Sequence, residues 1–345
     1  MSGTLPTRTD PPRRILVPRI RYIGDTFLLR YPLRALRTAF PEAQIDALVS
    51  PGTAPVIRSF GLCNCIEWPS SGLWEQVTLC AKICSTGYDW VLDLTGNDRS
   101  AFLSLLARAP FRAGYVNHKD PPWFWRGRVY SLPVRHEKYK PHIVRQHARL
   151  LEACGVPCPL DPLPPQIPSE ATAWAIQQIG KPGARRVLQA HLVSRDMQKS
   201  LPAEIAQQVL AHFVHQGWFI TLTTGRSTLE LEHTRRCCFG LPEGSYRIIS
   251  ECSWDQLAAL LDIADLYLGA DTAPSHLADA LEKPMLVFFG PSRSRQWHPL
   301  NPRARILVAD CPCLNKRTVC EPSMSGRCLR RMDISNFVSL LEEVR

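Results

Sequence analysis

The chain has 345 residues, 45% of them hydrophobic and 21% charged, with 13 cysteines and a formal charge of +10. That length suits two domains, and the mixture excludes wholesale disorder and any need of disulfides to build a core. The polar, proline-containing start, Met1 to Arg14, lacks the apolar stretch of a secretory signal, and no later segment has the uninterrupted apolar length of a membrane span. A cytosolic chain is expected, with at most a surface lying against a membrane.

In chain order, residues 1–13 read as a flexible tail. Arg14–Ile20 is the first strand, although Pro18 suits an edge or an end better than a central ladder. Thr26–Phe40 reads as one helix, Ile45–Ser50 as a strand, Asp89–Leu94 as another, and Ser100–Ala109 as a helix. Ile143–Ala153 closes a first domain over 14–156. Six prolines between Pro157 and Pro168 prevent a continuous helix and mark a linker over 157–168, after which Ser169 is placed to cap the next helix. The rhythm then repeats over 169–345. Strands are expected at Arg186–His191, Trp218–Thr223, Tyr246–Ile249, Leu266–Gly269 and Met285–Phe289. They alternate with helices at Ala203–Phe213, Trp254–Ile263 and Pro274–Leu281. Alternating strands and helices, with near-continuous apolar strands, predict α/β domains with parallel sheets covered on both faces. Two such Rossmann-like lobes are expected, with a ligand cleft between them.

The charge is uneven. Residues 1–160 carry 21 Lys and Arg against 12 Asp and Glu, and residues 161–345 carry 20 against 19. One half is polyanion-seeking and the other nearly neutral, which suits nucleic acid, a phosphorylated glycolipid or an anionic leaflet. No zinc-finger or RNA-binding pattern selects nucleic acid. The cysteine count is odd, so one chain cannot pair them all, and most are expected to be small buried apolar residues.

Several short segments carry the candidate chemistry. In Ile23–Gly24–Asp25–Thr26, directly after the first strand, Gly24 permits a tight turn. Asp25 reads either as a helix cap or as an ionised carboxylate that accepts a proton from an attacking hydroxyl. The segment lacks the three spaced glycines of a dinucleotide fingerprint. Ser194, Arg195 and Lys199 collect a hydroxyl, a guanidinium and an ammonium where a strand gives way to a helix, a set suited to a pyrophosphate or to an ordinary charged loop. In Gly269–His276, Asp271 and Thr272 precede a helix with Pro274 near its start, where amides hold anionic oxygens. Asp271 and His276 read equally as sugar-binding groups or as a cap and a packed core residue. Glu230 and Glu232 read as ribose ligands or solvated helix residues. Arg30, Arg34 and Arg37 share one helix face, and Trp123, Phe124, Trp125, Arg126 and Arg128 form an aromatic-basic cluster. Both sets are candidates for an anionic acceptor, the cluster also for a sugar or lipid headgroup. Cys311, Cys313, Cys320 and Cys328 stand open between packed structure, a metal and disulfides. Cys–x–Cys is not the usual zinc-knuckle spacing, and no metal is assigned.

The stretches RIRYIGDTFLLRYPLRALRTAFPEAQIDALV, YDWVLDLTGNDRSAFLSLLA, DQLAALLDIADLYLGADTAPSHLADALEKPMLVFFGPSRSRQWHP and CPCLNKRTVCEPSMSGRCLRRMDI together resemble the ADP-heptose:lipopolysaccharide heptosyltransferases, glycosyltransferase family 9, of the GT-B fold. The resemblance implies inverting transfer from ADP-L-glycero-D-manno-heptose to a lipopolysaccharide core or other anionic glycolipid, without cofactor or metal, at the cytoplasmic face of the inner membrane. No nucleic-acid partner is expected. By the same resemblance Asp25 is the general base. Lys199, with Ser194 and Arg195 nearby, contacts donor phosphate; Glu230 approximates a ribose ligand; Cys252 stands where methionine flanks adenine; and Asp271, Thr272 and His276 belong to the donor motif. Arg30, Arg34 and Arg126 are the acceptor-side candidates. The chain departs from the pattern at Ala273, where glycine is usual. It also reads Lys199–Ser200–Leu201–Pro202 in place of KRWP, and QAHLVSRDMQ lacks the common proline-glycine loop. Two alternatives therefore stand beside the main reading: a different nucleotide sugar, or a catalytically impaired glycan- or lipid-binding protein of the same fold.

Overall fold

The structure, a computed structural model, describes residues 11–117, 125–137, 142–180, 185–311 and 327–343. The chain divides into two compact units, Met1–Leu163 and Pro164–Arg345.

The first unit is built on a six-stranded sheet: β1 (Arg14–Arg19), β2 (Gln44–Val49), β3 (Asn64–Glu67), β4 (Trp90–Asp93), β5 (Phe111–Asn117) and β6 (Leu132–His136). Their order is β3-β2-β1-β4-β5-β6, every pairing is parallel, and β1 and β2 run in register from Arg14 opposite Gln44. Helices α1 (Ile23–Phe27), α2 (Arg30–Ala39) and α3 (Ala54–Arg58) connect β1 through β3, and α4 (Leu73–Ser85), α5 (Asp98–Leu106) and α6 (Trp125–Val129) lead on to β6. Right-handed crossovers put these two groups on opposite faces. Helix α7 (Ile143–Ala153) packs on α2.

The second unit repeats the plan. Strands β7 (Val187–His191), β8 (Phe219–Thr224), β9 (Tyr246–Ser250), β10 (Leu266–Ala270), β11 (Met285–Phe289) and β12 (Ala304–Val308) lie in the order β12-β11-β10-β7-β8-β9, again all parallel. Helices α8 (Ser169–Ile179), α9 (Ala203–His215), α10 (Thr228–Cys237), α11 (Trp254–Ile263), α12 (Ala273–Ala280), α13 (Ser294–Trp297), α14 (Arg327–Arg330) and α15 (Ile334–Glu343) complete it. In each sheet the first and fourth strands of the unit are neighbours. Chain order reverses there and a crevice opens beyond the carboxyl ends of the strands.

Several expectations are corrected. Pro18 lies in a central strand: the β1–β4 pairs stop at Leu16, and beyond that point Thr95 Oγ1 and the Leu94 amide donate to the Pro18 carbonyl, so the missing proline N–H interrupts no pair there. The expected single helix over Thr26–Phe40 is broken between α1 and α2. Gly24 lies inside α1 and not in a left-handed turn. Ser169 does not cap α8; Pro168 holds the cap position, with no side-chain cap bond.

Eleven described cysteines are free. Burial pushes the Cys154, Cys158, Cys237 and Cys238 thiols up to about 12, which keeps them neutral and suits them to apolar packing. Cys311 and Cys328 are buried in the core of the second unit, while Cys313 and Cys320 lie outside the described residues. Among the described residues no group of three or more His, Cys, Asp or Glu is placed to hold a metal.

Two histidines are held neutral by burial. His147 is depressed well below the usual imidazole range, and His191, whose Nδ1 lies 3.1 Å from Thr223 Oγ1, is depressed to about 4. Above pH ~6.5 neither folded nor unfolded chain protonates them; between ~6.5 and ~4 the unfolded chain binds the protons first. Stability is therefore lost as pH falls through that window, by at most about 3 kcal/mol for His191 at pH 4. Thermal melts of the wild type and His191→Gln across that range are expected to converge as pH falls, because the variant lacks this proton uptake.

Candidate active site

At the crevice of the first unit, β1 ends on Arg19 and the chain turns through Tyr22 into α1. Asp25 sits in the first turn of that helix and is 7% exposed. It does not cap: Tyr22 holds the cap position without a side-chain cap bond. Instead Arg19 Nη2 donates to Asp25 Oδ1 at 2.9 Å, and Arg19 Nη1 donates to the Leu94 carbonyl beyond β4. The guanidinium thus ties the carboxylate to the neighbouring strand across the switch point.

The β4 end is itself fixed by Asp93. This fully buried carboxylate accepts from the Thr95 amide at 2.8 Å, the Gly96 amide at 3.2 Å and Tyr130 Oη at 2.6 Å. Burial nevertheless pushes its carboxyl above the usual range. Tyr130 reaches it only because Gly114 has no side chain; a Cβ there would lie 2.3 Å from the ring. Thr95 Oγ1 then receives the Ile20 amide at 3.0 Å, so the loops after β1 and β4 form one hydrogen-bonded rim around Asp25.

The arginines proposed for an acceptor are largely occupied. Arg30 is 1% exposed and donates to the Phe27 carbonyl at 3.1 Å and to Tyr31 Oη at 2.8 Å. Arg34 donates to the Pro162 carbonyl at 2.5 Å, and Arg37 to the carbonyls of Pro41, Ala43 and Leu62. Arg126 pairs with Asp98 at 3.3 Å and donates to the Gly96 carbonyl. These guanidiniums satisfy orphan carbonyls and fix loops, Arg30, Arg34 and Arg37 from α2 and Arg126 from α6. Trp123 and Phe124 lie outside the described residues.

In the second unit the chain leaves β7 as a loop closed at its base by the Leu201 amide bonding the Leu192 carbonyl at 2.9 Å. Ser200 Oγ accepts the Ser194 amide at 2.9 Å, and Ser194 Oγ accepts the Asp196 amide at 3.3 Å, so the Ser194 hydroxyl holds the loop's shape. Leu201 is fully buried and anchors it. The short 3-10 turn Met197–Lys199 brings Lys199 Nζ to 3.6 Å from Asp271 Oδ2, beyond the adjacent strand β10. Arg195 stands apart from this pair. It is exposed and lines a separate pocket of about 450 Å³ with Glu204, His233, Arg236 and Arg330.

Asp271 is positioned by a packed turn. Tyr267 folds its phenol over Gly269, where a Cβ would lie 2.1 Å from the hydroxyl, and meets Ser275 Oγ at 3.0 Å. Ser275 Oγ donates to the Ala270 carbonyl. Thr272 occupies the cap position of α12 but turns its hydroxyl back to the Ala270 carbonyl at 3.3 Å, leaving no side-chain cap on the helix start; Pro274 follows at the second position. His276 is buried within α12. Gly269→Ala is expected to displace the Tyr267 ring and lower stability by about 1–3 kcal/mol, measured as the urea midpoint, because the added methyl overpacks the turn.

Two further residues lie beyond the ends of neighbouring strands, Glu230 in the first turn of α10 and Cys252 past β9. Glu230, 9% exposed, lays its carboxylate against Gly225 just past β8; a Cβ on that glycine would lie 1.9 Å from Oε2. Glu232 is exposed on the outer side of α10. Cys252, past β9, is half-buried, with its thiol pushed up to about 11 by burial. The sheet order β9-β8-β7-β10 therefore sets out Cys252, Glu230, Lys199 and Asp271 in one row, an apolar thiol followed by a carboxylate, a cation and a second carboxylate. The sequence signalled each segment, but their row follows only from the strand order. Arg19 and Asp93 gave no sequence signal beyond their place in strands.

A family model described as Glycosyltransferase family 9 (heptosyltransferase) matches residues 77–323. Lipopolysaccharide heptosyltransferase 3 of Escherichia coli K12 is 24% identical over 300 residues, spanning 81% of this chain and 83% of that protein. Lipopolysaccharide heptosyltransferase 1 of Pseudomonas aeruginosa is 24% identical over 332 residues, spanning 91% and 90%. Among solved structures, a glycosyl transferase family 9 protein from Veillonella parvula superposes with a TM-score of 0.79 at 19% identity, covering 96% of this chain and 97% of that one. The E. coli ADP-heptose lps heptosyltransferase II gives a TM-score of 0.76 at 19% identity, covering 96% and 98%. The fold shared with these structures is GT-B.

Proposed function

This chain belongs to glycosyltransferase family 9, the heptosyltransferase family, and on that premise we propose that it transfers a heptosyl residue from ADP-L-glycero-D-manno-heptose to a lipopolysaccharide core or related envelope glycan, with inversion at the anomeric carbon. The observation that carries this reading is the pairing of Lys199 with Asp271 at 3.6 Å, on the switch point of the second sheet and beside the uncapped start of α12. An ammonium and helix-start amides are what a departing diphosphate requires, since they stabilise charge as it develops on the leaving oxygen. Along the row, Cys252 takes the adenine side, Glu230 the ribose hydroxyls, Lys199 the diphosphate and Asp271 the sugar. Relatives solved with ADP and with ADP-2-deoxy-2-fluoro heptose support an ADP-sugar donor.

The first unit supplies the base. The acceptor hydroxyl attacks the anomeric carbon opposite the nucleotide, and Asp25 takes its proton as the new bond forms. Excluding water at that moment protects the donor from hydrolysis. The Ser200–Ser194 bond and the Leu201 anchor keep the Lys199 loop ordered without the arginine and tryptophan usual in the family, which favours an active enzyme over an impaired one. We place the reaction on the cytoplasmic side, beside the inner membrane. Among the described residues no helix is long and apolar enough to cross one.

Lys199→Ala tests the donor assignment. Loss of a charge-assisted contact is expected to weaken ADP-sugar binding and turnover together by about 10- to 100-fold, read from thermal stabilisation by the donor and from initial rates. Unchanged binding and turnover would remove Lys199 from the site.

A further inference from the structure

Six large apolar side chains of the first unit stand exposed on three helices that follow one another in space. Leu73 is 74% exposed and Trp74 81%, with Val77 at 48%, on α4; Phe102 is 54% and Leu105 50% on α5; Trp125 is 40% on α6. Helix α5 packs against both α4 and α6, and the three share the sheet face opposite α1–α3. On α4 and α5 the apolar set lies opposite the residues that bury into the core, such as Leu79 and Ile83 on α4 and Leu103 on α5, and Trp125 opens α6 one turn before the buried Val129. This is a layer whose inner side is packed and whose outer side is apolar, well beyond the scattered single residues of an ordinary surface.

The same layer is basic. Lys82, Arg99, Arg108 and Arg128 are exposed on or directly beside these helices. The carboxylates of the three helices are Glu75, packed beside Gly72, and Asp98, paired with Arg126. This agrees with the excess of nine positive charges in the first 160 residues. Aromatic and aliphatic groups ringed by cations match the interface of an anionic bilayer, where tryptophan sits at headgroup level and Lys and Arg meet phosphate. A second copy of the chain fits less well, because face-to-face pairing would set one basic layer against another.

We propose that the outer face of the α4–α5–α6 layer, centred on Trp74 and Phe102, seats this protein on an anionic lipid leaflet. The proposal makes concrete the membrane side of the function given above, but its test needs neither donor nor acceptor glycan, so its failure is separable from failure of the transferase reading. The full chain is mixed with vesicles of phosphatidylcholine alone or with phosphatidylglycerol, some carrying brominated acyl chains that quench nearby tryptophan. Sedimentation with the anionic vesicles only, with quenching that falls in Trp74→Phe, is the expected result. Trp74→Ser with Phe102→Ser is expected to reduce the partition constant about tenfold or more, and Lys82→Glu with Arg128→Glu to do the same. Both should keep the wild-type melting temperature and donor binding, since these side chains are outside the core and the donor row. Equal binding to neutral vesicles, no binding at all, or partitioning untouched by both double variants would overturn the proposal. So would a concentration-dependent dimer that the Trp74→Ser, Phe102→Ser protein no longer forms, because it would assign the face to a second copy.

Discussion

Asp25→Asn is expected to lower turnover by about 10²- to 10⁴-fold, the usual worth of a positioned general base, while leaving donor affinity nearly unchanged. The asymmetry follows from the site. Asp25 belongs to the first unit, whereas Lys199, Asp271, Glu230 and Cys252, the residues proposed to bind the donor, belong to the second. Asparagine keeps the shape and its amide oxygen can still accept from Arg19, so the melting temperature falls by the lost charge pairing while the fold is retained, and the amide does not accept the acceptor's proton. Parallel measurement of ADP-sugar binding and of initial transfer rates separates the two roles. Turnover near the wild-type rate would place the base elsewhere.

Arg19→Met should have the second large effect, by a different route. Arg19 and Asp25 are 4% and 7% exposed, and the pair is 2.9 Å long. Removing one member of a buried pair leaves the other charge uncompensated, which costs on the order of 3–5 kcal/mol. The guanidinium also spans two loops, reaching Asp25 with one nitrogen and the Leu94 carbonyl with the other. A carboxylate released from that tie loses its aim, and small misplacements of a reacting group cost about 100-fold in rate. The expected result is a fall in both melting temperature and kcat, with donor KM little changed. Arg19→Lys restores the charge but not the two-pronged grip, so it should recover stability more fully than kcat. A purely structural role would instead restore both together.

Sequence reading found the second unit more readily than the first. Runs such as Met285–Phe289 and Phe219–Thr224 are fully buried and nearly all apolar or β-branched, so their strands are plain. Strands β3, β5 and β6 of the first unit and β12 of the second are not legible in the sequence. Asn64–Glu67 is a short edge strand with polar ends, Phe111–Asn117 carries an internal arginine and glycine, and Pro133 lies inside Leu132–His136. The β5 glycine, Gly114, is explained only by the Tyr130 ring above it, a contact between residues distant in sequence. The chemistry-bearing segments were visible because each follows a strand and opens a helix. Their partners were not. A buried arginine is uncommon enough that Arg19 reads as an ordinary residue of the Arg14–Ile20 strand until Asp25 is seen against it. The local residue pattern does not distinguish Glu230 from Glu232, the family resemblance favours Glu230, and its burial against Gly225 separates the two in the structure.

The most direct measurement incubates the full chain with ADP-L-glycero-D-manno-heptose and a heptose-deficient lipopolysaccharide core, and follows the product by mass and by the configuration of its new linkage. The account requires a single added heptosyl unit of inverted configuration, formed by the wild type and not by Asp25→Asn. Retained configuration, or transfer from a UDP- or GDP-sugar with none from the ADP-heptose, would contradict it.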